Sequence, residues 1–275
     1  MLFRSDAYQR NIEPTSDLVE VSSRSGAKLI YVIGNLQKEM FTWAEISSAR
    51  AAESLCASLE DERMAYPVMS GKGKNGSPEE GITDITLTPL ASEVILRSLR
   101  CDFKGKPYED STLEDIRIYL TNVNAECPIW AEGIVMPKRI INTGGYCETD
   151  MEDFREKELI MQELSSPVGD KKIRTDVCLR CFPSNSLTSS PGTPFTCLVI
   201  EGRIDGETWY WPIEVNRESG KSDHTGIGRN LRYIHDVVIT CKGSQSADIP
   251  VKRNEIEINA SVSEWNEMDE YSVRF

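Results

Sequence analysis

The chain has 275 residues, 39% apolar and 27% charged, and its 31 basic against 44 acidic residues give a net charge of −13. A single core rarely grows past about 250 residues, so two domains are expected. The acidic balance argues against a nucleic-acid partner, because phosphate binding needs a basic footprint, and no apolar run reaches the ~18–20 residues that span a bilayer.

Met1-Leu-Phe-Arg-Ser-Asp6 lacks the apolar stretch of a signal peptide. Ala27-Lys-Leu-Ile-Tyr-Val-Ile33 reads as a buried strand closed by Gly34-Asn35. Trp43, Ile46, Ala49, Ala52 and Cys56 recur every three or four positions, which predicts a helix within 41–60. Residues 71–81 read as a polar loop, and strands follow at Ile82–Leu87 and Val94–Leu99. Ile116, Ile118 and Leu120 alternate with Asp115, Arg117 and Tyr119, the pattern of a half-buried strand. Cys127-Pro128, Met136-Pro137 and Gly144-Gly145 then interrupt any element, 151–164 reads as a short acidic helix, and 184–194 as loop. A boundary between domains of residues 1–147 and 148–275 fits this break.

The C-terminal part is more regular. Phe195–Ile204 and Glu207–Val215 flank Asp205-Gly206, a hairpin signal because a type I′ turn needs positive φ at both positions. Pro212 cannot donate to a ladder, so its strand is expected at an edge. Tyr233, His235, Val237 and Ile239 alternate, as do Ile256, Ile258, Ala260 and Val262 against Glu255, Glu257, Asn259 and Ser261. Strands at this spacing predict an all-β chain with minor helices, built as sandwiches.

No constellation of catalytic groups emerges, and no catalytic residue, cofactor site or metal ligand is nominated. Gly71-Lys-Gly73-Lys-Asn-Gly76 matches G-x-G-x-x-G but precedes a strand, without the helix that a dinucleotide site needs. Among eight cysteines, Cys178-Leu-Arg-Cys181 is the one C-x-x-C, and no second pair completes a zinc ribbon. His224 and His235 are the only histidines, and no nucleophile elbow accompanies them. Alternation sends Trp209 and Trp211 to one face and Tyr210 to the other. The two indoles either fill the core or, if exposed, form a glycan-stacking platform.

Thr196-Cys-Leu-Val-Ile-Glu-Gly202 with Trp209-Tyr-Trp-Pro-Ile213, then Arg229-Asn230-Leu-Arg-Tyr233 leading to Val237–Gly243, then Ile256–Val262 and Trp265, resembles the C-terminal domain of fimbrillins. These are the major and minor subunits of type V pili in Bacteroidetes. Tyr31-Val-Ile-Gly-Asn35 and Tyr66-Pro-Val-Met-Ser-Gly71 are similar to the family's N-terminal domain. The resemblance implies two tandem transthyretin-like β-sandwich domains, export through the outer membrane as a lipoprotein precursor, trimming after an arginine, and polymerisation by donor-strand exchange. That mechanism is β-augmentation, in which an extended segment of one subunit fills a strand vacancy in the next. On this reading Met1 falls inside the first domain, whose first strand is missing, and the trimming site is not assigned, since Arg4, Arg10 and Arg24 all lie far into the domain. The purified chain is then expected to be monomeric with one adhesive edge. The implied function is a non-enzymatic subunit of a cell-surface pilus that contributes to adhesion. Its implied partners are other pilus subunits and host or bacterial surface ligands, with no cofactor. Two alternatives are a glycan- or protein-binding tip adhesin using Trp209, Trp211 or residues 122–194, and a thiol-active enzyme at Cys178 and Cys181.

Overall fold

A computed structural model describes residues 28–35, 48–75, 85–132, 135–184, 194–217, 225–249 and 256–265. The chain is all-β with minor helices. β1 (Lys28–Gly34) is followed by α1 (Ala49–Glu53), β2 (Cys56–Ser58), β3 (Met69–Asn75) and the two-residue β4 (Thr88–Pro89). β1, β3 and β4 make a three-stranded antiparallel sheet, with Lys28 opposite Asn75 and Gly34 opposite Met69.

Next come β5 (Ser92–Cys101), β6 (Glu114–Thr121), β7 (Val123–Asn124), β8 (Glu126–Pro128), β9 (Ile140–Ile141) and β10 (Met161–Leu164). The remaining strands are β11 (Ile173–Cys181), β12 (Cys197–Ile204), β13 (Glu207–Glu214), β14 (Leu231–Ile239) and β15 (Ile256–Glu264). Two four-stranded sheets form a sandwich, one in the order β10-β6-β12-β13 and the other β11-β5-β14-β15. All their pairs are antiparallel except β5 with β14. Side chains alternate across each strand, so Leu96, Ile118, Leu120, Leu179, Ile200, Trp211 and Val237 enter one shared core. Asp205 and Gly206 turn β12 into β13 with φ of 53° and 82°, as the hairpin signal predicts.

The structure differs from the sequence reading in four places. Hydrogen bonding crosses the expected boundary at 147/148, since β5 and β6 pair with β11, β14, β12 and β10. The three-stranded sheet shares no strand pairing with those two sheets among the described residues, although Tyr31 and Ile33 pack against the same core cluster, and its described strands end at Pro89. Within 41–60 the helix is only Ala49–Glu53, because Cys56–Ser58 pairs with β8; residues 41–47 lie outside the described residues. The acidic stretch 151–164 is not a helix: Thr149–Met151 and Lys157–Leu159 are single 3-10 turns, and Met161–Leu164 pairs with β6. A free sheet edge outweighs the weak helical preference of a short charged segment. Finally, residues 71–75 belong to strand β3, and of the strand expected at 82–87 the described residues 85–87 are not in a strand, the two-residue β4 following at 88–89; 82–84 lie outside the described residues.

Candidate functional site

An edge strand presents unpaired N–H and C=O groups, and folds protect such edges in recognisable ways. Two edges here are short, since β4 has two residues and β10 four. At β13, Pro212 offers no N–H, and both backbone groups of Tyr210 are taken by Ser244, at 3.0 and 2.9 Å. Gly243 packs so closely there that a Cβ would meet Tyr210 O and come within 2.9 Å of Trp211 Cε2. β11 is irregular between Arg174 and Val177, and its Cys178 carbonyl accepts from Gln162 Nε2 at 2.8 Å.

β1 and β15 carry no such protection among the described residues. Among the described residues β1 pairs only with β3, and β15 only with β14. They run to seven and nine residues. β1 presents Leu29 at 46% exposure. β15 is the more unusual edge. Its apolar row Ile258, Ala260 and Val262 lies opposite Val237, His235 and Tyr233, on the face of the sheet that turns toward the core. Yet Ile258 is 43% and Val262 38% exposed. The end of β15 is fastened by Trp265, whose N–H donates to Asn230 O at 3.1 Å and whose ring lies 4.7 Å from the Arg180 guanidinium.

The residues singled out in the sequence fall elsewhere. Trp211 is fully buried and donates through Nε1 to Cys241 O at 3.1 Å, so it fills the core. Trp209 is half-buried, with Lys242 Nζ 5.3 Å from its ring centroid. Two exposed indoles side by side, as a stacking platform requires, are therefore not formed. Cys178 and Cys181 lie three apart on β11, so their side chains leave opposite faces and their α-carbons stand ~10 Å apart. That exceeds the reach of a disulfide, about 7 Å. Burial pushes both thiols up to about 12, which disfavours the thiolate that thiol chemistry needs. The thiol-active arrangement is thus corrected by strand geometry. His235 is a buried strand residue, as its alternation predicts, and burial lowers its pKa to about 4. His224 and Gly76 lie outside the described residues, while Gly71 and Gly73 sit in β3. Sequence periodicity finds the apolar row of β15 but carries no signal that it is left uncovered.

No family model matches the chain, and no curated protein sequence does. Solved structures do. A candidate cell adhesion protein from Parabacteroides distasonis superposes with a TM-score of 0.64 at 16% identity, covering 88% of this chain and 76% of that one. A candidate cell adhesion protein from Bacteroides eggerthii gives 0.62 at 15% identity, covering 86% and 77%. A fimbrilin from Porphyromonas gingivalis gives 0.57 at 15% identity, covering 88% and 81%. The chain shares its β-sandwich fold with these proteins.

Proposed function

We propose that this chain is a non-enzymatic structural subunit of a cell-surface pilus that joins other subunits by strand addition and contributes to adhesion. The observation that carries this reading is the pair of long, partly apolar edges at β1 and β15 that are unprotected among the described residues, where the other sheet edges are short or blocked. Strand addition satisfies the open backbone groups and covers the apolar row at once. The fold shared with a fimbrilin and with candidate cell adhesion proteins supports it. On this reading the precursor is exported as a lipoprotein and the chain is fimbrial.

Immunogold electron microscopy of producing cells tests the proposal. Label along surface filaments is expected, and label confined to the cell interior overturns it. The double variant Ile258→Lys, Val262→Lys tests the edge. Filament incorporation is expected to fall at least tenfold with the monomer's circular dichroism unchanged; normal incorporation would rule out β15 as a joining edge.

A further inference from the structure

Arg229 lies just before β14, in a turn fixed to the sandwich. The Tyr233 hydroxyl accepts from Gly228 N–H at 2.8 Å and donates to Gly226 O at 3.2 Å. Ser92 Oγ of β5 donates to Gly228 O at 2.6 Å and accepts from Leu231 N–H at 2.9 Å. Asn230 reverses the chain with φ of 58°. From this base the Arg229 side chain crosses to the N-terminal sheet. Nε donates to Pro89 O at 3.0 Å; one terminal nitrogen donates to Ile129 O and Ala131 O at 3.4 and 3.5 Å. The other donates to Ser70 O at 3.1 Å, Ser70 Oγ at 2.9 Å and Thr88 O at 2.6 Å.

No carboxylate pairs with Arg229 within ion-pair distance among the described residues. Its fixed planar array of five donors is spent on oxygens of β3, β4 and the 129–131 segment. Surface ion pairing and ligand recognition do not use a guanidinium in this way. A junction between two bodies does, because the contacts vanish together when the bodies part.

We propose that Arg229 is a coupling residue that makes the N-terminal sheet and the sandwich open as one unit, so that load taken up at the β1 edge passes into β14. The load-bearing part rests on the strand-joined reading above; the coupling itself does not.

Hydrogen–deuterium exchange of the full chain tests the coupling, comparing wild type with Arg229→Lys and Arg229→Met. Lysine keeps the charge but loses the planar fork, so both variants are expected to behave alike. Amides of 28–34 and 69–75 should exchange at least tenfold faster while those of 197–204 hold their wild-type rates. Unchanged exchange in β1 and β3 overturns the proposal, as does an equal rise in β12, which would mark a general loss of stability. Should the Met variant fail to fold, the Lys variant carries the test. Single-molecule extension then addresses load, with one unfolding event expected for wild type and two for Arg229→Lys. Failure to form filaments would sink the pilus reading and leave the exchange result standing.

Discussion

β14 buries Tyr233, His235, Val237 and Ile239 to 2% exposure or less, whereas no described side chain of β1 is fully buried. The sandwich is held mainly by apolar burial between its own two sheets. The N-terminal sheet depends more on polar contacts and close backbone approach. Ser70 Oγ donates to Ile129 O at 2.6 Å, Tyr31 Oη to Glu53 Oε1 at 2.6 Å, and Lys72 pairs with Glu132 at 2.7 Å. The contrast teaches that the sandwich supplies its own stability, while the N-terminal sheet draws much of its own from contacts to segments outside it. Once the Arg229 junction is released, the sheet that presents the open β1 edge is therefore the one expected to yield first.

The sharpest test of that contrast is a pair of aromatic truncations. Trp211→Ala should cost about 3–5 kcal/mol, as large core truncations do, and leaves the Cys241 carbonyl without its indole donor. Tyr31→Ala removes an edge-on contact with Trp130 at 4.9 Å, an aromatic pair of about 0.5–1.5 kcal/mol. Denaturant unfolding monitored by circular dichroism would measure both. If Tyr31→Ala proved as costly as Trp211→Ala, the division between the two regions would be wrong.

Gly71→Ala probes the close approach. A Cβ there would collide with Thr86 O and lie 2.9 Å from Ile85 Cγ2, and a backbone oxygen cannot rotate aside. Overpacking of this kind costs about 1–3 kcal/mol. With Arg229 in place the loss should be shared by both regions, whereas in an Arg229→Lys background it should appear as faster amide exchange in β1 and β3, with β12 unaffected. Equal losses across both regions in that background would tie the sheets by more than the Arg229 junction.

Two buried groups also answer pH in opposite directions. Glu62 is fully buried beneath the 62–68 turn, where its carboxylate accepts from Val68 N–H at 3.1 Å. Burial pushes its pKa from 4.5 up to about 8, opposed by Arg180 and the Val68 N–H and assisted by Glu156. Between those values the folded chain holds a proton that the unfolded chain has released. The contribution present below pH 4.5 is therefore lost as pH rises toward about 8. His235 behaves in reverse. Burial lowers it from 6.5 to about 4, against backbone hydrogen bonds at Ile95 and Tyr233 and the charge of Asp236. Stability is lost as pH falls through that window, because the unfolded imidazole takes up a proton that the folded one refuses. The Tm advantage of Glu62→Gln over wild type should grow from pH 5 to pH 8, and the Tm of His235→Gln relative to wild type should rise as pH falls from 7 to 5. A constant offset for either variant would show that the group does not titrate as its burial implies.

What could be read from sequence divides along the same line. The β12–β13 hairpin was legible because Asp205-Gly206 is a local signal, and β6 because Ile116, Ile118 and Leu120 keep a strict period of two. Sheet membership was not legible. β5 is drawn to β14 in a parallel pairing across more than a hundred residues, which no local pattern encodes. Alternation places Trp209 and Trp211 on the same face of their strand, yet exposure depends on what lies opposite, and Gly243 closes over Trp211. The open inner row of β15 escaped for the same reason, since alternation specifies a face and not whether another sheet covers it. Arg229 belongs to the Arg-Asn-x-x-Tyr element, but its six acceptors come from three distant segments that the fold alone assembles.

The smallest expected effect bounds the comparison from below. Arg203 and Asp115 pair at 3.2 Å on the surface of the sandwich, with side chains 48% and 70% exposed. Solvent screens the attraction, and two long side chains lose rotamer freedom in making it. Arg203 also donates to Gly206 O at 3.0 Å, bracing the hairpin turn. Arg203→Ala should therefore shift stability by less than ~1 kcal/mol, and added salt should change that difference little. A larger, salt-sensitive loss would mean that surface charge contributes to the sandwich on the scale of its core. The polar junction at Arg229 would then no longer set the N-terminal sheet apart, and the reason for placing the weak element at β1 would fall with it.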